Sequence, residues 1–427
     1  MISRRKLLGV SAAAGATLAL TPELLRALQR SQRQLIQRAI PSSGEMLPVI
    51  GLSRGNVPAD HAALKEVFQT LVDHGGKLLD TVHGWDSADQ VAGTIASELG
   101  IQDRIFWSTQ LRPTPGTPGS NVDPAAVARA GVEASFARLR VPRIDLIQVS
   151  VLRPDLATSL AVLREMKKQG RVRYIGVTAA FPNQHPAVES VMRNEPIDFI
   201  SVDYAIDNRA VEATILPLAQ QRRIGVLAYF PFGGAASREG GTVAVVNRLL
   251  QRAGTRPLPA WAAEFDATSW AQFFLKYVVS HPAVTAVRVG TTKASHMVDN
   301  IGGGIGRLPN EAMRKRMAEF VDALPEAPAP QGPQGPATPA VVLQAAVLDR
   351  YVGEYRTAAG LVLTFRRDGD KLFVKVGANP ELPLTAQSEQ RFSAGPIAVE
   401  FPTTDAGTVT NLTLHQGNQR TPATRSR

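Results

Sequence analysis

The residues of this chain that can do chemistry stand at the ends of short apolar runs. Asp80-Thr81, Thr109-Gln110, Gln148-Val149-Ser150, Val177-Thr178 and Tyr229 each close one. Carboxylate, carboxamide, hydroxyl and phenol groups can hold a polar ligand, and the carboxylate and phenol can also hold a proton. His83 follows Asp80 by three residues and can supply a proton near pH 7. Cysteine is absent, which excludes thiolate nucleophiles, disulfides, iron–sulfur ligation and cysteine zinc sites. The seven histidines show no ligand-like spacing, so no metal centre is expected.

Those positions need a scaffold that gathers strand ends. Apolar runs at 48–53, 77–82, 105–111, 144–151, 172–178, 198–204, 224–229 and 284–289 read as strands. Amphipathic patterns at 60–74, 87–99, 124–139, 155–169 and 210–222 read as helices between them. Eight such units over about 260 residues fit a (β/α)8 TIM barrel better than an open sheet. No strand-linked Gly-x-Gly-x-x-Gly is present, which argues against a Rossmann domain. A barrel of this kind carries its reactive groups at the C-terminal ends of its strands, where the residues above lie. Residues 37–47 are expected to form a small hairpin across the barrel bottom.

The barrel is expected over 38–322. Residues 325–340 form a Pro/Gly-rich linker, and 341–427 form a small antiparallel β-domain. Its strands are expected at 361–365, 372–376, 398–401 and 409–414, with turns at Asp368-Gly369 and Ala406-Gly407. The segment Leu348–Tyr355 resembles the start of small β-domains appended to exported bacterial serine hydrolases.

The formal net charge is +10, but it sits at the two ends. Residues 1–41 carry seven Lys or Arg against Glu23, and 416–427 carry three Arg and no acid. The body is close to neutral, which speaks against a nucleic-acid partner. Ser3-Arg4-Arg5-Lys6 precedes an uncharged stretch over 7–20, too short to span a bilayer comfortably. Residues 1–30 therefore resemble a twin-arginine signal, so the export machinery is an expected partner and the periplasm the expected location. Small-residue cleavage sites occur at Ala14-Gly15-Ala16 and Thr17-Leu18-Ala19, and 22–38 reads as a basic helix opened by Thr21 and Pro22. Membrane contact is expected only through this leader, as a tether if it stays uncleaved.

Several motifs in order resemble the aldo-keto reductases, especially an exported bacterial group, over residues 38–320. They are Ile40-Pro41-Ser42-Ser43-Gly44-Glu45 with Leu47-Pro48-Val49-Ile50-Gly51-Leu52; Asp80-Thr81 before Ala88-Asp89; and Gly170-Arg171-Val172-Arg173-Tyr174-Ile175-Gly176-Val177-Thr178. Leu216-Pro217-Leu218-Ala219, Tyr229-Phe230-Pro231-Phe232-Gly233-Gly234, Ser269-Trp270-Ala271-Gln272 and Gly290-Thr291-Thr292 complete the series. The resemblance implies carbonyl reduction with NADP(H), using a tyrosine acid, a lysine that lowers its pKa, an aspartate that holds the lysine, and a histidine that orients the carbonyl.

Carried over by position, the aspartate is Asp80, the tyrosine is replaced by Trp85, the lysine by Gln110 and the histidine by Ser150. An indole is no usable acid near neutral pH, and a neutral carboxamide cannot depress a neighbour's pKa. Asp80 is expected to lose its cationic partner and to need neutral donors. Asp86 and Asp89 read as carboxylates stabilised at a helix N-terminus. The cofactor positions implied are Thr178, Ser201, Tyr229, Phe232, Gly290, Thr291, Lys293, His296 and Asn300, with Tyr229 against the nicotinamide and Lys293 and His296 near a 2′-phosphate. Ser201 replaces a glutamine, Arg288-Val289 an Ile-Pro, and Ser53-Arg54 a Gly-Thr, and Thr178-Ala179 lacks an amide partner.

The leading expectation is an exported family member whose reductase site is degenerate and which holds a dinucleotide or small carbonyl ligand without standard turnover. The alternatives are an active NAD(P)H-dependent oxidoreductase using His83 as acid, and a non-enzymatic binding or structural protein.

Overall fold

A computed structural model describes residues 34–53, 60–81, 86–111, 123–179, 181–237, 243–245, 247–325, 343–357, 360–377, 381–394, 397–402, 409–416 and 419–426. The leader, most of the linker, His83, Trp85 and the Ala406-Gly407 turn lie outside them. The chain divides into two compact units, Met1–Pro328 and Ala329–Arg427.

The first unit opens with an antiparallel pair, β1 (Gln37–Ala39) and β2 (Met46–Pro48). This is the expected hairpin, and it means that the basic helix read over 22–38 does not reach residue 38: Gln37 and Arg38 pair with Pro48 and Leu47 instead. Seven strands follow: β3 (Ile50–Ser53), β4 (Leu78–Asp80), β5 (Phe106–Gln110), β6 (Ile144–Ser150), β7 (Val172–Ala179), β8 (Phe199–Asp203) and β9 (Gly225–Tyr229). A short hairpin, β10 (Ala235–Ser237) with β11 (Val243–Val245), precedes the last barrel strand, β12 (Val284–Val289). The order β12-β3-β4-β5-β6-β7-β8-β9 closes on itself with every pair parallel.

Helices α1 (His61–Asp73), α2 (Asp86–Leu99), α3 (Pro124–Leu139), α4 (Leu156–Lys168), α5 (His185–Asn194) and α6 (Ile215–Arg222) alternate with the strands. Then come α7 (Arg248–Ala253), α8 (Trp270–Ser280), α9 (Ala294–Gly302) and α10 (Glu311–Asp322). Their starts follow local chemistry: Asp60, Ser269 and Asn310 accept hydrogen bonds from the first-turn amides of α1, α8 and α10. The pattern read as one helix over 210–222 is a 3-10 turn, Ala210–Glu212, and then α6.

Side chains alternate across each strand, so every second residue enters the barrel. The lowest inward layer is apolar: Leu78, Phe106, Leu146, Tyr174, Phe199, Leu227 and Ala286, sealed from below by Ile40 and Leu47 of the hairpin. Phe199 fits because its neighbours are small. A Cβ on Gly225 would come within 2.6 Å of its ring, and one on Gly176 within 2.5 Å of its carbonyl oxygen. Tyr174 stacks with Phe106 and donates to Ser43 at 2.8 Å, which fastens the hairpin to the barrel floor.

The second unit is a closed antiparallel barrel of eight strands: β13 (Gly353–Thr357), β14 (Val362–Asp368), β15 (Lys371–Val376), β16 (Leu382–Ala386), β17 (Arg391–Ala394), β18 (Ile397–Glu400), β19 (Asn411–Gln416) and β20 (Gln419–Arg425). Tyr351, Tyr355, Phe365, Phe392 and Phe401 pack edge to face inside it. Four strands match the expected ones with shifted ends. The four missed include β16 and β20, which hold Pro383 and Pro422 and so do not look like strands.

Candidate functional site

Two residues above the apolar floor, the inward layer turns polar. Asp80, Ser108, Gln148, Ser201, Tyr229 and Arg288 occupy it, and all are buried. Ser201 donates its hydroxyl to the Gln148 carboxamide oxygen. The Gln148 amide donates to Ser108 at 3.1 Å, and Ser108 donates to one oxygen of Asp80 at 2.5 Å. The other oxygen of Asp80 is bound by a guanidinium nitrogen of Arg288. A single hydrogen-bonded chain therefore crosses the barrel from β8 through β6, β5 and β4 to β12.

This corrects one expectation. Asp80 does have a cationic partner, and it comes from β12 rather than from the end of β5. Arg288 is in register with Gly51 of β3. β3 lies between β12 and β4, so the guanidinium reaches past β3 to Asp80; Gly51 itself makes room for Leu78, which a Cβ there would meet at 2.7 Å. Among the described residues, Nε and Nη2 of Arg288 are buried without a hydrogen-bond partner. The guanidinium carbon lies 5.1 Å from the centre of the Tyr229 ring. Burial raises the Tyr229 hydroxyl well above the usual phenol range, and the Arg288 charge offsets part of that.

The next layer up is the mouth. Gln110 is half-buried at the end of β5. Ser150, half-buried at the end of β6, accepts from the Leu152 amide at 3.3 Å and so braces its own turn. Thr178 is buried on β7. Asp203 at the end of β8 is only 4% exposed, and one of its oxygens has no hydrogen-bond partner among the described residues. Burial raises its carboxyl to about 7. The Asp207 charge adds to the rise, while a hydrogen bond from Asn208 and the Arg248 charge oppose it. Arg248 is bound to Asp207 instead, with Nε at 2.9 Å from its carboxylate. Asp203, Asp207, Arg248 and Ser108 were not singled out by sequence, and Gln148 was picked out only as part of a strand end. The available signal was acidic residues spaced two and six beyond Ser201 in an otherwise apolar run.

Asp89 also departs from expectation. It is buried in α2 and accepts from Thr81 at 2.5 Å, Thr109 at 2.9 Å and Ser135 at 3.1 Å, with Arg138 at 3.5 Å. It ties β4 and β5 to α3 rather than simply facing a helix dipole. The Asp86 side chain lies outside the described residues.

The sequence-derived cofactor positions separate into two groups. Gly290 and Thr291 follow β12, and Lys293 is the N-cap of α9 with no side chain capping the helix. Thr291 accepts from the Lys293 amide at 3.2 Å, while Lys293 and His296 are exposed and Asn300 is buried on the inner side of α9. Open helix amides with two basic side chains suit a phosphate. The residues meant for a nicotinamide do not fit one in this arrangement. The Tyr229 ring is buried beneath a guanidinium, Phe232 is packed into the core, and the Ser201 hydroxyl is spent on Gln148. The fit is to the phosphate end of a dinucleotide alone. No group of three or more candidate metal ligands occurs among the described residues.

Comparison with known proteins agrees with the barrel. Residues 50–317 match the model of the aldo/keto reductase family, and 337–425 match that of a domain of unknown function, DUF3471. A probable aldo-keto reductase of Glycine max is 24% identical over 254 residues, 54% of this chain; the match spans 66% of that protein, just under two thirds of its length. The holo form of an aldo-keto reductase from Bacillus halodurans superposes with a TM-score of 0.53 at 20% identity, covering 70% of this chain and 99% of that one. An aldo/keto reductase from Klebsiella pneumoniae, solved with NADP and acetate, gives 0.50 at 19% identity, covering 67% and 94%. With more than half its length matched by that family model over a closed parallel barrel, the chain belongs to the aldo/keto reductase family.

Proposed function

We propose that this protein is an exported oxidoreductase-family member that holds NADP(H) by its phosphate end and does not carry out tyrosine-based carbonyl reduction. The observation that carries the reading is the Asp80–Arg288 pair. The carboxylate that would hold a lysine beside the acid is committed to an arginine from another strand, and the lysine position, Gln110, is neutral. Trp85, at the tyrosine position, cannot donate a proton near neutral pH. A positioned acid contributes about 10²–10⁴-fold in rate, so its loss together with its tuning cation removes most of the usual catalysis. Lys293, His296 and the open N-terminus of α9 support phosphate binding, as does the family of the Klebsiella protein solved with NADP. The paired Arg4-Arg5 before a short uncharged stretch supports export of the folded chain, and replacing both with Lys should leave it in the cytoplasm.

NADPH titrated against tryptophan fluorescence, followed by a panel of aldehydes and ketones, tests the reading. Saturable binding without turnover is expected. Turnover at ordinary reductase rates would overturn it, and loss of that turnover in His83→Ala would identify the acid.

A further inference from the structure

The floor of the parallel barrel, opposite the strand ends described above, is basic. Lys77, Arg104, Arg143 and Arg223 stand just before β4, β5, β6 and β9, where the chain enters the barrel. A cleft of about 870 Å³ opens there beside β2, lined by five cations and three carboxylates. Arg173 is shared between Glu45 and Asp145. Lys77, Arg104, Arg140 and Arg143 are exposed and form no ion pair among the described residues, against one unpaired acid, Asp103. Arg140 is also strained. Four helices on this floor end on a residue with left-handed backbone, and two of those residues are Gly100 and Gly170, which adopt it freely. The other two are arginines, Arg140 at φ 58° and Arg223 at φ 55°. Arg223 has a local use, donating to the Pro41 carbonyl of the hairpin at 2.9 Å. Arg140 makes no side-chain hydrogen bond or ion pair among the described residues, so its charge faces outward.

We propose that this floor docks on an anionic lipid bilayer, with phospholipid headgroups meeting Lys77, Arg104, Arg140 and Arg143 at the cleft. The contact adds to that of the leader and does not depend on the dinucleotide reading. Three observations favour a bilayer over an acidic protein. The excess charge spreads beyond the cleft: Arg222 and Arg223 spend their guanidinium groups on backbone carbonyls, which leaves their charges uncancelled. An extended anionic surface meets such a spread better than a single acidic segment does. Met46 of β2, at the edge of the cleft, is 47% exposed, and an apolar side chain among cations suits the headgroup boundary. The basic leader also enters the fold here, at β1, which pairs with β2. From residue 20, the end of the uncharged stretch, to Gln37 the chain can span at most about 60 Å. A leader held at a membrane therefore keeps this face, of all the faces of the barrel, beside it. Docked this way, the mouth with Gln110 and Ser150 points away from the bilayer.

Flotation of the full chain with phosphatidylcholine vesicles, with and without phosphatidylglycerol, reads the contact. The wild type should partition onto the anionic vesicles far better than onto the neutral ones, and should come off as salt is raised. Arg140→Gly should weaken the anionic partition about fivefold, the share of one cation near such a surface. It should also raise Tm by about 2 °C, because glycine adopts the left-handed cap without strain. Weaker docking by a more stable protein is a result that misfolding cannot imitate. Lys77→Gln combined with Arg140→Gly and Arg143→Gln should weaken the partition about a hundredfold. The leader's own charge is common to all these proteins and cancels in the comparison. Unchanged partition in the triple variant would overturn the proposal, and so would equal partition of the wild type onto the two kinds of vesicle. Loss of polyglutamate binding in the triple variant, with vesicle binding kept, would overturn it in favour of an acidic protein partner.

Discussion

The lower and upper halves of the parallel barrel's interior are built from the same strands, two residues apart, under different rules. Below, Phe106, Tyr174 and Phe199 pack against Leu78, Leu146 and Leu227, and apart from the Tyr174 hydroxyl, which reaches Ser43 of the hairpin, shape decides what fits. Above, Asp80, Ser108, Gln148, Ser201 and Arg288 depend on complementary donors and charges. An apolar neighbour can be exchanged for another of similar volume. A buried charge cannot lose its partner cheaply, because water is not there to replace it. The upper half is therefore where one substitution propagates.

The largest test of that difference is Arg288→Met. It takes the guanidinium away from the buried Asp80 carboxylate, and should cost about 3–5 kcal/mol in urea unfolding. Adding Asp80→Asn should recover most of the loss, since a neutral amide needs no counterion. Phe199→Ala in the lower layer should cost a comparable ~3–5 kcal/mol through the cavity it opens, with no charge change elsewhere able to recover it. If Asp80→Asn gives no rescue, the arginine matters for its volume, and the two halves follow one rule after all.

The next test in size uses pH. Asp203 titrates near 7 in the folded chain against an ordinary 3.8. Between those values the folded state binds more protons than the unfolded, so stability falls as pH rises and the penalty is complete above 7. Asp203→Asn should therefore stabilise the protein by about 2–4 kcal/mol at pH 8 and by little at pH 4. His281, lowered to about 4 chiefly by burial and then by Arg314, gives the opposite slope between about 6.5 and 4 in both proteins. The difference between the two unfolding curves isolates Asp203. A gain that is the same at pH 4 and pH 8 would mean relief of crowding rather than of charge.

The lower layer was legible in the sequence and the upper one only in part, for a physical reason. Apolar alternation along single strands marks where Leu146 or Phe199 points, and each strand can be read by itself. The eight barrel strands, the floor hairpin and the small all-β domain followed from such local patterns. The Asp80–Arg288 pair joins residues 208 positions apart. It depends on β12 closing next to β3 and on β3 pairing in turn with β4, neither of which is a local property. Asp203 was passed over because a lone acid ending an apolar strand looks like a solvated turn. Only burial and the prior commitment of Arg248 to Asp207 make it unusual. Gln110 and Ser150 were picked out by their places at strand ends, and motifs in order supplied the frame for setting them against the family.

The smallest effect asks whether the upper interior is one unit. Ser201→Ala leaves the Gln148 oxygen buried without its donor, which should cost about 1–3 kcal/mol. Ser201 and Arg288 do not touch; they are the two ends of the chain through Gln148, Ser108 and Asp80. All of its hydrogen bonds run toward the Asp80 carboxylate, so each donor polarises the next. Combining Ser201→Ala with Arg288→Met should then deviate from additivity by more than about 0.5 kcal/mol, the usual limit for residues that share no contact. Additivity within that limit would reduce the upper layer to separate pairs, as local as the packing beneath it. A clear deviation would mean that a change on β8 is felt at the ion pair between β4 and β12.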